Sequence, residues 1–546
     1  MQFDYVIVGG GSAGCVLANR LSAKTSCRVC LIEAGPSDDS LLVRVPAGII
    51  ALMRSRKRNW RYWSCPQAQL DGRPRYMPRG KTLGGSSSVN AMIYTRGHPR
   101  DYDHWAALGN AGWGWDDVLP VFKRSEDNTR GADAFHGVGG GLKVADLAYA
   151  HPASRAFVAA CVEAGFPANP DFNAAVQEGV GLYQVTQAGG ERSNVARGYL
   201  APILDRTNLT VLTDTLATRV LLDGKRAVGV ECVSRGATRK LEAGTVIVSA
   251  GTFNSPQLLL LSGIGARAAL EPHGIPQSHD LPGVGQNLQD HPDVLTVYHS
   301  RRHDTMSLGI GYLPQAVRDA WQYARTRQGP LTSNAAEAGG FIKSQPEADI
   351  PDLQLHLTAA LLDNHGLNWR FAMGWGYSAH VCVLRPKSRG HVGLSDANPQ
   401  SPPLIDPNFL ADPDDTERLL RGLRIVRENI LARNPLAPWR GSEVFPGADV
   451  RSNAELRAYL RAKVETIYHP VGTCAMGNGD RAVVDADLKV RGLDALYVVD
   501  ASVMPTLIGG NTNAPTVMIA EKAADGMLGV HRSPREGDAP RRMPDA

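Results

Sequence analysis

The chain has 546 residues, an ordinary apolar content of 43% and a formal net charge of +4 at pH 7. This length suits about two to four domains, each with a large hydrophobic core. So small a net charge on so long a chain argues against a nucleic-acid-binding protein. The sequence has no run of about 20 apolar residues that would predict a transmembrane helix.

The start of the chain and its cysteines both indicate a reducing compartment. Only Met1 and Gln2 precede the first predicted strand, which leaves no room for a signal peptide and predicts a cytoplasmic protein. The eight cysteines are scattered, and Cys27 and Cys30 form a CxxC at and within the second predicted strand. Because a redox CxxC usually opens a helix, we interpret this pair as packing residues with free thiols.

The N-terminal stretch is predicted to form a strand–turn–helix–strand unit. Residues 3–8 (FDYVIV) and 28–32 (RVCLI) read as buried strands, and residues 15–22 read as a helix. A GxGxxG turn lies between the first strand and the helix. Its first glycine makes the tight turn, its second lets the backbone approach a pyrophosphate, and its third lets helix and strand pack closely. The residues predicted to contact a dinucleotide here are Gly9, Gly11, Ser12, Ala13 and Gly14.

Glu33 follows the second strand, where an acidic residue would bind the adenosine ribose hydroxyls. The helix N-terminus also presents free N–H groups and a partial positive charge to the phosphates. A glycine-rich turn in an ordinary α/β protein would not require this acid, so we predict a dinucleotide site. The motif alone does not distinguish NAD from FAD.

Two stretches downstream suggest a covering segment and a ligand contact. Residues 43–53 are apolar and residues 54–58 (RSRKR) are basic. Segment 41–59 is therefore interpreted either as a lid that touches a membrane surface or as a covering loop with a solvated basic end. The glycines and small hydroxyls of residues 78–90 (PRGKTLGGSSSVN) would let the backbone pass close to a flat or phosphorylated ligand.

Residues 295–445 change character. Predicted strands alternate with helices and no phosphate-binding turn appears, which favours a second domain on a mostly antiparallel sheet. Within it, Glu337 lies in an apolar, glycine-rich context and is either a pocket residue or a surface acid. Residues 306–329 carry an amphipathic segment, interpreted as a lid or an interface. The chain then returns to the first domain with a predicted strand at 495–500 and a helix at 513–526.

Two polar residues near the C-terminus are candidates for catalysis. His469 precedes Pro470, so its backbone is held extended. A neutral imidazole near pH 7 is the usual general base, although most lone histidines are satisfied core residues. Asn513 lies at a predicted helix start and could equally be an N-cap. Chain order does not show that the two side chains meet.

Four blocks together resemble the glucose–methanol–choline oxidoreductases, a family of FAD enzymes. Beyond the N-terminal fingerprint they are GKTLGGSSSVN at 80–90, GTFNSPQLLLLSGIG at 251–265, and YHPVGTCAMG at 468–477 followed by residues 498–525. They occur in order and span residues 3–525. Within the family, the chain looks most similar to bacterial choline dehydrogenase-like enzymes and alkanol dehydrogenases.

The resemblance implies an α/β (overall α+β) fold in which a Rossmann-like FAD-binding domain is interleaved with a substrate domain on a mostly antiparallel sheet. The expected FAD-binding parts are 1–150, including lid 41–59, 191–294 and 446–530. The expected substrate-domain parts are 151–190 and 295–445, and residues 531–546 are expected to be a disordered tail.

The resemblance also implies roles for single residues. His469 would accept the alcohol proton, Asn513 would hold the substrate oxygen, and the α-carbon hydride would pass to flavin N5. Glu337 matches a pocket acid that faces the ammonium group in choline-oxidising relatives. The further FAD contacts that the resemblance implies, with no metal ligand among them, are Ala34, Trp60, Arg79, Gly84, Gly85, Ser86, Asn90, Ala91, Met92, Val220, Ala250, Gly251, Asp500, Ala501, Asn511, Thr512 and Pro515.

The expected activity is that of an FAD-dependent alcohol dehydrogenase that oxidises a primary alcohol to an aldehyde and passes electrons to a quinone or another acceptor. Val89 stands where some members carry a flavin-linking histidine, so FAD is expected to be non-covalent. Alternatives are a choline dehydrogenase, an oxidase that uses O₂, a flavin-containing lyase or photodecarboxylase, and a binding protein without turnover. Peripheral contact with the inner face of a membrane is a further interpretation.

Overall fold

Two seven-stranded sheets organise the chain in the computed structural model, which describes residues 2–530. The tail predicted at 531–546 lies outside the described residues. No helix within residues 2–530 has the length and apolar character needed to cross a membrane. All eight cysteines lie in the described part and are free, and Cys30 is buried in a strand, which agrees with a packing role.

The first sheet is mixed and carries the dinucleotide motif. Its first strand runs parallel to both of its neighbours, and a hairpin around Asp223 and Gly224 adds two antiparallel strands. Helices Ser12–Ser22 and Asn513–Met527 contribute to its apolar core. The strand order is Leu209–Leu212, Val29–Ile32, Gln2–Val8, Ala237–Val248, Arg226–Ser234 and Thr215–Asp223, with Leu496–Val498 paired to Ala237–Val248.

The second sheet is antiparallel at every pairing, as the sequence predicts for the second domain. Helices Pro152–Glu163, Pro413–Arg424 and Asn453–Lys463 contribute to its separate core. The strand order is Arg440–Phe445, Pro292–Ser300, Gly376–Val383, Leu353–Thr358, Ala336–Ile342 and Gly179–Leu182, with Glu465–Thr466 paired to Pro292–Ser300.

Shorter elements connect and cover the two sheets. The remaining α-helices are Leu41–Arg44, Ile49–Leu52, Pro99–Ala107, Trp115–Ser125, Gly251–Leu261, Arg267–Leu270 and Leu313–Thr326. Four two-stranded sheets pair Tyr62–Trp63 with Tyr76–Met77, Glu126–Asn128 with Leu142–Val144, Gln187–Ala188 with Glu191–Arg192, and His391–Gly393 with Leu404–Asp406.

The sheets are interleaved along the chain, as the resemblance implies, but one predicted boundary differs. Helix Asn453–Lys463 and strand Glu465–Thr466 belong to the second sheet's unit, so the chain returns to the first unit after Thr466 rather than at 446. The reason is that Leu456 and Leu460, one helical turn apart, are fully buried in the second core.

Candidate active site

One cavity extends from the dinucleotide turn to His469 and is lined by both units. Gly9 has a φ of +103°, which only glycine adopts without strain. A Cβ at Gly14 would lie 1.9 Å from the carbonyl oxygen of Gly9, whereas a Cβ at Gly11 would meet no atom within 4 Å. Helix and strand are therefore in contact behind the turn, and Gly11 leaves room in front of it that suits a pyrophosphate.

The carboxylate of Glu33 is held in place by one backbone N–H of the turn and one from the segment that follows Glu33. One oxygen accepts the N–H of Gly10 at 2.9 Å and the other accepts the N–H of Gly35 at 2.8 Å. Burial raises the pKa of Glu33 to about 7. The side chain lines the cavity beside the turn, which supports the predicted contact with ribose hydroxyls.

Most of the predicted FAD contacts line this cavity. They are Gly9, Gly11, Ser12, Ala13, Glu33, Ala34, Trp60, Arg79, Gly85, Ser86, Asn90, Ala91, Met92, Ala250, Gly251, Asp500, Ala501, Asn511 and Thr512. Gly14, Gly84, Val220 and Pro515 do not line it. A Cβ at Gly84 would lie 2.4 Å from Ser88 Oγ, so this glycine, like Gly14, allows close packing behind the cavity.

The prediction for Val220 needs correction. Its backbone N–H donates to Ser262 Oγ at 2.8 Å and its side chain is buried in the first core. The cavity is lined instead by residues 215–217 of the same strand. Strand Thr215–Asp223 thus reaches the cavity at its beginning, and Val220 lies further along it, out of reach.

The segment at 80–92 passes close to the turn, as its small residues predict. A Cβ at Gly85 would lie 2.7 Å from the Cα of Gly11. Asn90 is held by the buried Arg192, whose Nη1 donates to the Asn90 carbonyl at 2.7 Å and to its Oδ1 at 2.8 Å. Arg192 is a positioning residue that the sequence did not reveal, because it lies about 100 residues further along the chain.

His469 has three polar partners at the far end of the cavity. Its backbone N–H donates to Asp290 Oδ1 at 2.9 Å, its Nδ1 lies 3.0 Å from His291 Nδ1, and its Nε2 lies 3.1 Å from Asn511 Nδ2. The side chain is buried yet lines the cavity. The imidazole is therefore fixed on one side and presents Nε2 on the other.

The hydrogen bonds determine which nitrogen of His469 carries the proton. His291 Nε2 lies 2.9 Å from the Leu384 carbonyl, which can only accept, so His291 Nε2 is the protonated nitrogen. Since burial lowers the pKa of His291 to about 3, the ring is neutral and its Nδ1 is an acceptor. His469 must then donate from Nδ1, which leaves the lone pair on Nε2 directed at Asn511.

Electrostatics keep His469 neutral. Burial lowers its pKa well below the ordinary value, and the positive charge of Arg79 lowers the pKa further. A neutral imidazole with an unprotonated Nε2 is the form that can accept a proton.

Asn511 and Asn513 both line the cavity, but they have different partners. Asn511, rather than Asn513, contacts His469, and the Oδ1 of Asn513 accepts the hydroxyl of Ser12 at 2.7 Å. Asn513 thus joins the C-terminal helix to the dinucleotide turn on the cofactor side of the cavity. The sequence did not separate the two because both precede or open the same helix, two residues apart.

We expect asparagine replacements to separate these roles. Asn511→Ala removes the donor beside His469 Nε2 and should slow flavin reduction by about tenfold or more, because a charge-stabilising hydrogen bond contributes about 1.5–3 kcal/mol. Asn513→Ala should affect flavin reduction less and FAD retention more. Anaerobic stopped-flow and the flavin-to-protein absorbance ratio measure both. A slower reaction in Asn513→Ala than in Asn511→Ala would contradict this assignment.

Glu337 does not line the cavity, contrary to the pocket role considered for it. One oxygen accepts the N–H of His151 at 2.7 Å and the hydroxyl of Ser154 at 2.6 Å, and the other accepts Ser333 Oγ at 2.5 Å. Ala336 lines the cavity one position earlier, whereas the carboxylate of Glu337 is directed at the start of helix Pro152–Glu163. There it stabilises the N-terminus of helix Pro152–Glu163.

The predicted lid does cover the cavity. Ile49 and Met53 line it, and Val43 and Leu52 pack against Val89, which also lines it.

The sequence missed several polar residues of this site, namely Asp290, His291, His356 and His380. A signal existed for His291, because it precedes Pro292 just as His469 precedes Pro470.

A dinucleotide turn whose cavity ends at a neutral, cavity-facing histidine defines an oxidoreductase with a nucleotide cofactor. Comparison with known proteins narrows this class. Two protein-family models, both described as GMC oxidoreductase, match the chain. The N-terminal one matches residues 3–293 and the C-terminal one matches residues 386–520. The chain therefore belongs to the GMC oxidoreductase family, uses FAD and acts on CH–OH donors.

Curated and solved relatives cover nearly the whole chain. An "Alcohol dehydrogenase [acceptor]" of Pseudomonas putida is 49% identical over 96% of this chain and 95% of its own length. The mitochondrial choline dehydrogenase of Homo sapiens is 42% identical over 96% and 89%. The crystal structure of a pyridoxine 4-oxidase from "Mesorbium loti" superimposes with a TM-score of 0.88 at 35% identity, covering 97% of this chain and all of that one.

Proposed function

We propose that the protein is an FAD-dependent alcohol dehydrogenase that oxidises a neutral primary alcohol to an aldehyde and passes the electrons to a quinone or another acceptor. The observation that carries the proposal is the pair formed by His469 Nε2 and Asn511 Nδ2, 3.1 Å apart, in the cavity that begins at the dinucleotide turn.

In this proposal each side chain has a defined task. His469 accepts the hydroxyl proton at Nε2, while Asn511 donates its amide N–H to the alcohol oxygen. His291 holds the His469 ring and its Nδ1 proton. Bound FAD supplies the hydride acceptor, flavin N5, for the α-carbon hydrogen. Turn residues 9–14, Glu33 and residues 85–92 would hold the cofactor.

The charges of the cavity favour a neutral substrate over choline. Among residues 2–530, the carboxylates that line the cavity are Glu33 and Asp500. Both are already engaged, Glu33 by the turn and Asp500 by Ser255 Oγ at 2.6 Å and the Gly251 N–H at 2.9 Å. Glu337 faces away. A quaternary ammonium would thus lack a carboxylate in the cavity, whereas apolar lining residues such as Ile49, Met53 and Leu362 suit an aliphatic or aromatic chain.

Choline oxidation is the second candidate, because several curated relatives at 40–42% identity are choline dehydrogenases. An anaerobic absorbance spectrum before and after addition of primary alcohols and of choline tests both. Bleaching of the flavin bands by an alkanol or benzyl alcohol, and not by choline, supports the proposal. Bleaching by choline alone would replace it with the second candidate, and readmitted air separates an oxidase from a dehydrogenase.

The lowered pKa of His469 predicts an unusual pH profile. A base is active when unprotonated, so at its ordinary pKa of 6.5 half of it would be inactive at pH 6.5. Because burial lowers this pKa well below 6.5, we expect the rate of flavin reduction at saturating alcohol to stay level from pH 8 down through pH 6.5. Stopped-flow across this range measures it, and a twofold fall centred on pH 6.5 would contradict a neutral buried base.

Non-covalent attachment of FAD is part of the proposal. The side chain of Val89, which packs against the lid and lines the cavity, has no nucleophilic atom. Acid precipitation should therefore release all of the yellow colour into the supernatant, and a yellow pellet would contradict this.

A further inference from the structure

Helix Leu313–Thr326 exposes its apolar side chains to solvent, which is unusual for a surface helix. Leu313, Val317 and Trp321 follow one another at four-residue intervals and are each just over 60% exposed. The side chains that the helix buries are Asp319 and Tyr323. A surface helix of a globular domain normally turns its apolar stripe inward, so this stripe is free to contact something outside the chain.

The stripe is part of a larger surface. Ile310, just before the helix, is 91% exposed. The neighbouring loop is tied to the same segment, because the Leu308 N–H donates to the Ala372 carbonyl and Ser307 Oγ donates to the Met373 carbonyl, both at 2.8 Å. We call this surface the apolar face; its exposed members are Leu308, Ile310, Leu313, Val317, Trp321, Trp369 and Met373.

The charged residues beside the two exposed tryptophans of the apolar face are arginines. The guanidinium of Arg325 lies 4.8 Å from the centre of the Trp321 ring, and that of Arg370 lies 5.7 Å from the Trp369 ring. Arg318 is also exposed on the helix. Residues 305–328 contain one acidic residue, Asp319. Its carboxylate is buried and accepts hydrogen bonds from Tyr312 Oη at 2.9 Å and from Gln315 Nε2 at 2.6 Å.

The apolar face borders the cavity. Leu362, at the start of the loop that ends in the face, lines the cavity together with Ile49 and Met53 of the lid. All three are half-buried. Arg54, which begins the basic run of the lid, donates to the Gly366 carbonyl of the same loop.

We propose that the apolar face docks on a lipid bilayer that carries anionic headgroups. Exposed tryptophans with arginines beside them suit the boundary between headgroups and acyl chains, where the ring is buried and the cation meets phosphate. Docking would place the part of the cavity wall that lid and loop form next to the membrane. If the proposed function is correct, a lipophilic alcohol could then enter the cavity directly from the bilayer.

The holoenzyme should float with vesicles of phosphatidylcholine and phosphatidylglycerol, and less with phosphatidylcholine alone. The double variant Ile310→Asp/Val317→Asp should reduce the vesicle-bound fraction at least about tenfold, because two buried apolar side chains are lost. Arg318→Gln and Arg325→Gln should each weaken binding to anionic vesicles about fivefold. Leu204→Asp/Val176→Asp is the matched control, since these residues are similarly exposed outside the face.

Equal binding of the face variant and the control variant, or no binding of the wild type, would overturn the proposal. A second copy of the chain is the other candidate for covering the apolar face, and light scattering tests it by measuring the oligomeric state. A dimer that the Ile310→Asp/Val317→Asp variant abolishes would also overturn lipid docking. Flavin reduction by a water-soluble alcohol is measured in parallel without lipid, so failure of docking and failure of the proposed function are distinguishable.

Discussion

Replacing His469 with alanine is expected to slow flavin reduction by at least about 10²–10⁴-fold, the range that general-base catalysis supplies. The alcohol proton, with a pKa of about 16 in water, would have no acceptor at that place. Asp290 contacts the backbone N–H of His469 rather than its ring, so it cannot take over the role. Anaerobic stopped-flow with a saturating alcohol measures the rate.

FAD should stay bound in this variant, because His469 lies at the far end of the cavity from the dinucleotide turn. His279→Ala is a suitable control: the His279 ring contacts a backbone carbonyl, that of Arg491, at 2.9 Å and does not line the cavity. A His469→Ala enzyme that reduces its flavin within a few-fold of the wild-type rate would remove His469 from the proposed role.

Replacing His291 with leucine is expected to slow flavin reduction by about tenfold to a hundredfold. The Nδ1–H of His469 would lose its acceptor, and an unpaired buried donor costs about 1–3 kcal/mol. The ring could recover by moving the proton to Nε2, which would abolish the lone pair that faces Asn511. The effect should appear in the limiting rate and not in the dissociation constant for the alcohol.

His291→Asn provides the matched variant for this prediction. The asparagine Oδ1 can occupy the place of His291 Nδ1 and accept the same hydrogen bond, so most of the rate should return. Equal rates in the leucine and asparagine variants would indicate that His291 fills space and does not set the tautomer of His469.

Much of the cofactor side of the cavity could be predicted because its determinants are local. The strand, the turn at Gly9–Gly14 and the acid at Glu33 lie within about 30 consecutive residues, and each has a conformational or chemical reason to be there. The same holds for the hairpin at Asp223 and Gly224, since turn residues specify the pairing of their own flanking strands.

The substrate side depended on contacts between distant segments. His291 and His469 are 178 residues apart and meet because Gln289 pairs with Val471 in a short bridge between their segments. Asn511 and Asn513 lie in an irregular segment at a helix start, where no periodicity tells which side chain faces the cavity. Glu337 lies beside a register shift in its strand, which removes the simple alternation from which its direction might have been predicted.

The sequence by itself therefore determined the dinucleotide fold, the family and the histidine that ends the cavity, because these follow from short-range patterns. Only the tertiary structure decided which asparagine contacts His469, that Glu337 turns away from the cavity, and which face of helix Leu313–Thr326 is exposed. The amphipathic pattern at 306–329 was visible from the start. Whether its apolar stripe is buried depends on what lies beneath the helix, and there Asp319 and Tyr323 take the inward positions.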